Sequence, residues 1–132
     1  MKFLKTIARA AFVLALSCAF MPAEAASKAN FKVIPMPREV AYTDGAAPFV
    51  LRDGVKVYYP ADNAALAKYA GFLAGYVKEQ TGITLVPATG TGSDGITLAV
   101  AGEGKPESYS LTVKADGVSI TAPDNGGVFY GI

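Results

Sequence analysis

The sequence predicts an α+β domain: a single antiparallel sheet with one long helix packed on one face. Three observations predict it. The segment from Asp62 to Thr81 carries apolar residues at spacings of three and four. Three later segments alternate apolar and polar residues with a period of two. Turn-forming clusters, most containing glycine, separate these segments.

The elements follow in chain order. Ile34-Pro35-Met36-Pro37 is extended, because two prolines one residue apart forbid a regular helix. Phe49-Val50-Leu51 and Val55-Lys56-Val57-Tyr58-Tyr59 are β-rich. The turn residues Arg52-Asp53-Gly54 between them predict a hairpin. Asp62 or Asn63 then caps the long helix. Leu66, Tyr69, Ala70, Leu73, Tyr76 and Val77 form its apolar stripe, and Gly82 is placed to end it. Gly71 and Gly75 lie four apart, and close approach of the helix to the sheet would compensate their cost.

Ile83 to Val86 reads as a short strand. Ile96, Leu98 and Val100 alternate with Thr97 and Ala99; Tyr109, Leu111 and Val113 alternate with Ser110 and Thr112. Val118, Ile120 and Ala122 alternate with Ser119 and Thr121. Such alternation predicts half-buried antiparallel strands, the last two joined through Lys114-Ala115-Asp116-Gly117. Asp124 offers an N-cap to a final apolar run, Gly126 to Ile132. That run has no polar tail or cap, which predicts that more chain follows.

At 132 residues the chain holds one domain, and 52% hydrophobic residues can build a packed core. Residues 1–25 read as a signal peptide and residues 26–132 as the domain. Lys2, Lys5 and Arg9 make the positive n-region, and Ala10 to Phe20 the apolar run. Ala23-Glu24-Ala25 is a small-x-small cleavage site. The expected location is therefore periplasmic or secreted. Ala15-Leu16-Ser17-Cys18 loosely resembles a lipobox, with alanine where leucine is usual. A lipid on Cys18 would make the protein an outer-membrane lipoprotein and is the one route to a membrane.

Cys18 is the only cysteine, so the domain has no disulfide and no thiol chemistry. The net charge is +1; without Lys2, Lys5, Arg9 and Glu24, 9 basic and 10 acidic residues remain. This balance gives no reason to expect nucleic acid as a partner.

No histidine is present, which removes the Ser-His-Asp arrangement and most zinc sites. Glu39, Asp44, Asp53, Asp62, Glu79, Asp94, Glu103, Glu107, Asp116 and Asp124 fall mostly at turns and helix ends. No two make an evident pair for glycosidic acid/base work. Gly90-Thr91-Gly92-Ser93-Asp94-Gly95 matches G-x-G-x-x-G, but a strand follows it where dinucleotide binding needs a helix. Tyr58, Tyr59, Tyr69, Tyr76, Tyr109 and Tyr130 read as core or core-edge residues, with sugar stacking as the alternative. No catalytic, cofactor-binding or metal-binding residue is assigned, and no cofactor is expected.

Ile34-Pro35-Met36-Pro37 resembles the I-P-x-P opening of the mature family 20 glycoside hydrolases, the β-N-acetylhexosaminidases. Glu107-Ser108-Tyr109-Ser110-Leu111 resembles their E-x-Y-x-L strand, with Ser108 where glycine or alanine is usual. Gly117 to Pro123 and the closing Gly127-Val128-Phe129-Tyr130-Gly131-Ile132 resemble the following strand and motif. The resemblance covers essentially the whole mature chain and implies a non-catalytic N-terminal domain.

The enzyme it implies removes terminal N-acetylhexosamine from glycans. The substrate's own acetamido oxygen attacks, with retention of configuration. The family's catalytic acids lie in a (β/α)8 barrel that would follow residue 132, so none is carried over. The implied partners are that barrel of the same chain and, through it, the glycan substrate. Two alternatives stay open: the N-terminal domain of an O-GlcNAcase-like family 84 enzyme, and a free-standing glycan-binding or surface interaction module.

Overall fold

The computed structural model describes residues 37–132. The leader, Cys18 and Ile34-Pro35-Met36 lie outside the described residues. All described elements belong to one compact unit, Val40–Ile132.

The first three elements are β1 (Lys56–Tyr59), α1 (Ala64–Thr81) and β2 (Val86–Thr89). Helix α1 starts where the sequence places a cap. The Asn63 carboxamide oxygen accepts the backbone N–H groups of Ala65 and Leu66, each at 3.1 Å. It ends at Gly82, whose φ of 78° is a left-handed conformation that only glycine adopts without cost. The Gly82 N–H closes the last turn on the Lys78 carbonyl at 2.9 Å. Then come β3 (Gly95–Val100), β4 (Ser110–Lys114), β5 (Gly117–Ala122) and a second helix, α2 (Asn125–Gly131).

The α+β class stands, with one sheet and one long helix, to which α2 is added. The sheet is mixed rather than antiparallel, in the order β2-β1-β3-β5-β4. Strand β1 runs parallel to β2 and β3, and β3 runs parallel to β5. Only β4 is antiparallel, to β5. The reason lies in the connection. A tight turn cannot join parallel strands, whereas a helix can carry the chain back to its starting end. Helix α1 does this between β1 and β2.

The hairpin expected from Phe49 to Tyr59 does not form. Arg52-Asp53-Gly54 does turn, but the backbone groups beyond it go elsewhere. The Gly54 N–H donates to the Thr84 carbonyl at 2.9 Å, and the Val86 N–H to the Val55 carbonyl at 3.0 Å. With β2 on one side of β1 and β3 on the other, no edge is left for residues 49–51. Phe49 and Leu51 pack against the core as an irregular segment. The strand expected at Ile83 to Val86 sits further along, at Val86–Thr89.

The register puts Val57, Ile96 and Val118 in one row, and Leu98, Ile120 and Leu111 in the next. Both rows face the helices. Val57 and Leu98 are fully buried there, together with Leu66 and Ala70 of α1 and Val128 of α2. Helix α1 lies over β1, β2 and β3, and α2 over β5 and β3. Gly127 allows α2 to sit this close: a Cβ there would strike the Ser108 carbonyl and the Ala122 side chain. Gly71 and Gly75 do not have the corresponding role on α1. A Cβ at either would meet nothing within 4 Å, so both face away from the sheet.

Leu98→Ala opens a cavity at the centre of this core. It is expected to cost about 2–5 kcal/mol in urea unfolding of the chain. A loss well under about 1 kcal/mol would contradict the central placement of Leu98.

Candidate functional site

The described acidic residues are dispersed, and the most ordered of them serve the fold. The Asp53 carboxylate accepts the Thr84 N–H at 2.7 Å, tying the turn before β1 to the approach to β2. Asp94 takes the Arg52 guanidinium at 2.7 Å, with both side chains more than half exposed. A pair so open to water contributes at most about 1 kcal/mol. Among the described residues, no three His, Cys, Asp or Glu side chains gather where they could hold a metal ion.

Asp124 is the most engaged carboxylate. One oxygen accepts the Gly127 N–H at 2.7 Å and the other the Glu107 N–H at 3.0 Å. It therefore caps α2 and pins the loop before β4, where Glu107 holds a left-handed φ of 64°. The Gly127 N–H, then the Glu107 N–H, lower its pKa, because both hydrogen bonds favour the charged form. Both contacts are structural, made to backbone N–H groups of this domain.

Two grooves open at opposite ends of the parallel strands. One, of about 270 Å³, lies where β1 and β3 begin and is lined by Arg52, Asp53, Lys56, Tyr58, Ser93 and Asp94. Its two carboxylates are those already bound to Thr84 and Arg52. The other, of about 650 Å³, lies at the starts of α1 and α2, lined by Pro60, Asp62, Asn63, Ala65, Val100 and Asn125. There Asn63 donates to the Asn125 side-chain oxygen at 2.9 Å, linking the two helix starts. Neither groove presents a pair of carboxylates free for acid/base work.

The glycine-rich loop leads into β3, so no helix N-terminus faces it. Instead it folds over Tyr58. A Cβ on Gly92 would collide with the phenol ring, and one on Gly95 would stand 2.8 Å from it. The glycines are needed for that approach, and a phosphate-binding role has no geometry here.

The tyrosines divide. Tyr59 and Tyr69 pack against the core, as the sequence suggests. Tyr76 and Tyr130 are more than half exposed. They belong to a ladder of rings, of which Tyr69 and Tyr76 lie in the apolar stripe read from the sequence. Tyr69 stacks on Phe72 and Phe72 on Tyr76, each with centroids 6.4 Å apart. Phe129 of α2 meets Tyr69 at 5.3 Å and Tyr130 at 5.8 Å. The Lys68 ammonium lies 5.5 Å from the Phe72 ring centre. The available signal was width: Leu66, Ala70, Leu73 and Val77 already fill the inward face of α1. Tyr69, Phe72 and Tyr76 extend past it on one flank.

Tyr109, Leu111 and Val113 were expected to face a covered side of the sheet. They are 38%, 53% and 57% exposed. They do point to the helix side, where the Tyr109 ring meets the end of α2 at Gly131, but neither helix covers Leu111 and Val113 on β4.

The family model for glycosyl hydrolase family 20, domain 2, matches residues 30–132. The chain matches none of the curated proteins. Among solved structures it is similar to a mutant Streptomyces plicatus β-hexosaminidase in complex with its product GlcNAc, at 31% identity and a TM-score of 0.57. It is also similar to the GH20 β-N-acetylhexosaminidase of Streptomyces coelicolor A3(2), at 30% identity and a TM-score of 0.56. Each match takes in 66% of this chain but 17% of the solved one.

Asp124→Ala is expected to lower the melting temperature at neutral pH. A depressed folded-state pKa stabilises the fold above the ordinary aspartate value, about 3.9. That stabilisation disappears as pH falls through the lower folded value, so the two proteins should converge in strong acid. A gap that persists unchanged there would show that the carboxylate charge is not involved.

Proposed function

The chain belongs to glycosyl hydrolase family 20, as its domain 2, and from this membership we propose that it is the accessory N-terminal domain of an exported β-N-acetylhexosaminidase. The parent would release terminal N-acetylhexosamine from glycans by substrate-assisted, retaining catalysis. The observation that carries the reading is the match over residues 30–132 to a domain whose solved relatives are hexosaminidases. Membership in family 20 also decides between the two enzyme families left open by the sequence.

The chain spans 17% of the solved relatives' length. Catalysis is assigned to the remainder of the parent, a (β/α)8 barrel with its acids at the C-terminal ends of the strands. Three described carboxylates fit that division: Asp124 caps a helix, Asp53 ties a turn and Asp94 pairs with Arg52. The glycan is the barrel's ligand, and this domain's partner is the barrel itself. Export is supported by the basic start, the apolar run from Ala10 to Phe20, and Ala23-Glu24-Ala25. Cleavage after Ala25 would release the protein into the periplasm or medium, whereas a lipid on Cys18 would hold it at the outer membrane.

The 132-residue chain, assayed on an aryl N-acetylglucosaminide, is expected to give the blank rate. The product of the complete coding sequence should hydrolyse the same substrate. Turnover by the short chain, or none by the complete product, would overturn the assignment.

A further inference from the structure

Helices α1 and α2 cover the side of the sheet that carries Val57 and Leu98. The opposite side is built from different residues. The register sets Lys56, Gly95, Gly117 and Lys114 in one row across β1, β3, β5 and β4. Tyr58, Thr97, Ser119 and Thr112 form the next row. Two ammonium groups and a line of hydroxyls therefore share this side, and neither row contains a carboxylate. Among the described residues, the side chains of Lys56, Thr97, Thr112 and Lys114 make no hydrogen bond or ion pair.

The rows run into the groove of about 270 Å³ where β1 and β3 begin. Arg52, Lys56, Tyr58, Ser93 and Asp94 converge there. The two carboxylates of the groove are engaged: Asp94 takes Nη2 of Arg52, and Asp53 takes the Thr84 N–H. The Lys56 ammonium, the other guanidinium nitrogens and two hydroxyls remain to meet a ligand, so the groove has donors in excess. Its aromatic ring is fixed in advance. The bare backbone of Gly92 and Gly95 approaches Tyr58 on the Cε2 side, and a Cβ at either position would collide with the ring. A side chain ordered before the ligand arrives loses little freedom on binding. Asp94 holds a left-handed φ of 63°, which costs energy in any residue but glycine, and the ion pair with Arg52 secures it at the rim.

We infer that this side of the sheet binds an acidic glycan. A sugar bearing a carboxylate or sulfate seats in the groove against Arg52 and Lys56, with its ring beside Tyr58. The sugars that follow cross the strands over Thr97, Ser119 and Thr112 towards Lys114. The inference rests on the proposed parent, an enzyme that acts on glycans, and adds the class of glycan.

The chemistry selects this occupant. Sugar hydroxyls both donate and accept, which a row of Thr and Ser hydroxyls matches, and a sugar's apolar ring face suits a tyrosine. Carboxylate and ionised sulfate only accept, and they bind most strongly to charged donors such as those of Arg52, Lys56 and Lys114. Adjacent strands lie about 4.8 Å apart, so Lys56 and Lys114 stand about 14 Å from each other across the sheet. A compact anion meets one of them, whereas an extended, repeating polymer meets both. Single-stranded nucleic acid would need several ring faces for its bases, and these rows offer one.

Calorimetric titration of the complete protein with a chondroitin sulfate hexasaccharide tests the inference. The oligosaccharide carries a uronate at its non-reducing end, so that no terminal N-acetylhexosamine is available for release. Lys56→Gln combined with Lys114→Gln removes both ammonium groups from this side. Lys78→Gln combined with Lys105→Gln removes two from elsewhere in the domain. All four lysines are exposed, so both double variants should melt where the unsubstituted protein does. The first should bind the oligosaccharide about tenfold or more weakly, the second within about twofold of the unsubstituted protein. A neutral N-acetylglucosamine hexamer should not distinguish the two variants. Absence of saturable binding to the unsubstituted protein, equal losses in both variants, or the same loss with the neutral hexamer would each overturn the inference. Hydrolysis of the aryl N-acetylglucosaminide by the unsubstituted complete protein is a separate readout. Its failure would remove the enzyme assignment, while the titration would still decide the face.

Discussion

The structure depends on keeping Val57 and Leu98 dry. These two residues sit on adjacent strands at the middle of the sheet, and both have no exposed surface. Three of the four strand pairings are parallel, and parallel strands need their apolar side covered. Leu66 and Ala70 of α1 provide one part of that cover, and Val128 of α2 the other. The caps at Asn63 and Asp124, the left-handed Gly82 and the bare backbone of Gly127 serve the same end. They fix where each helix starts, stops and touches the sheet.

Much of this was written in the sequence, and the omissions have physical causes. Helix α1 announces itself by period, cap and terminal glycine, and it forms as expected. Strands β3, β4 and β5 are where their alternation places them. Their direction is another matter. A period of two records which face is apolar and carries no information on whether a neighbour runs up or down. A helix between two strands of one sheet can carry the chain back to make them parallel, and an expectation of an antiparallel sheet with a helix on its face leaves that crossover out. The Phe49 hairpin failed because Arg52-Asp53-Gly54 specifies only a turn. Where the turned chain finds its hydrogen bonds was decided by Thr84 and Val55.

Exposure was the least legible quantity at the candidate site. Leu111 and Val113 alternate as cleanly as Leu98 and Ile120, and the sequence does not distinguish them. What separates them is how far α2 reaches, a property of the assembled layers. Tyr76 shares a helix with Val77 and sits on a different side of it. By contrast, the placing of three aspartates at turns and at a helix cap was legible from the sequence. Asp53, Asp94 and Asp124 all act on backbone or on a partner charge within the fold.

The two borders of the sheet are not alike. At the β2 border stands Pro87, which lacks the N–H that an incoming strand would need. At the β4 border, Ser110–Lys114 presents an unbroken run of peptide groups with a single charge at its end. Edge-on association would therefore have one usable side per molecule. Two copies could join through it about a two-fold axis, and neither would offer a second border of the same kind. Self-association of this type stops at a pair and does not propagate into a fibre.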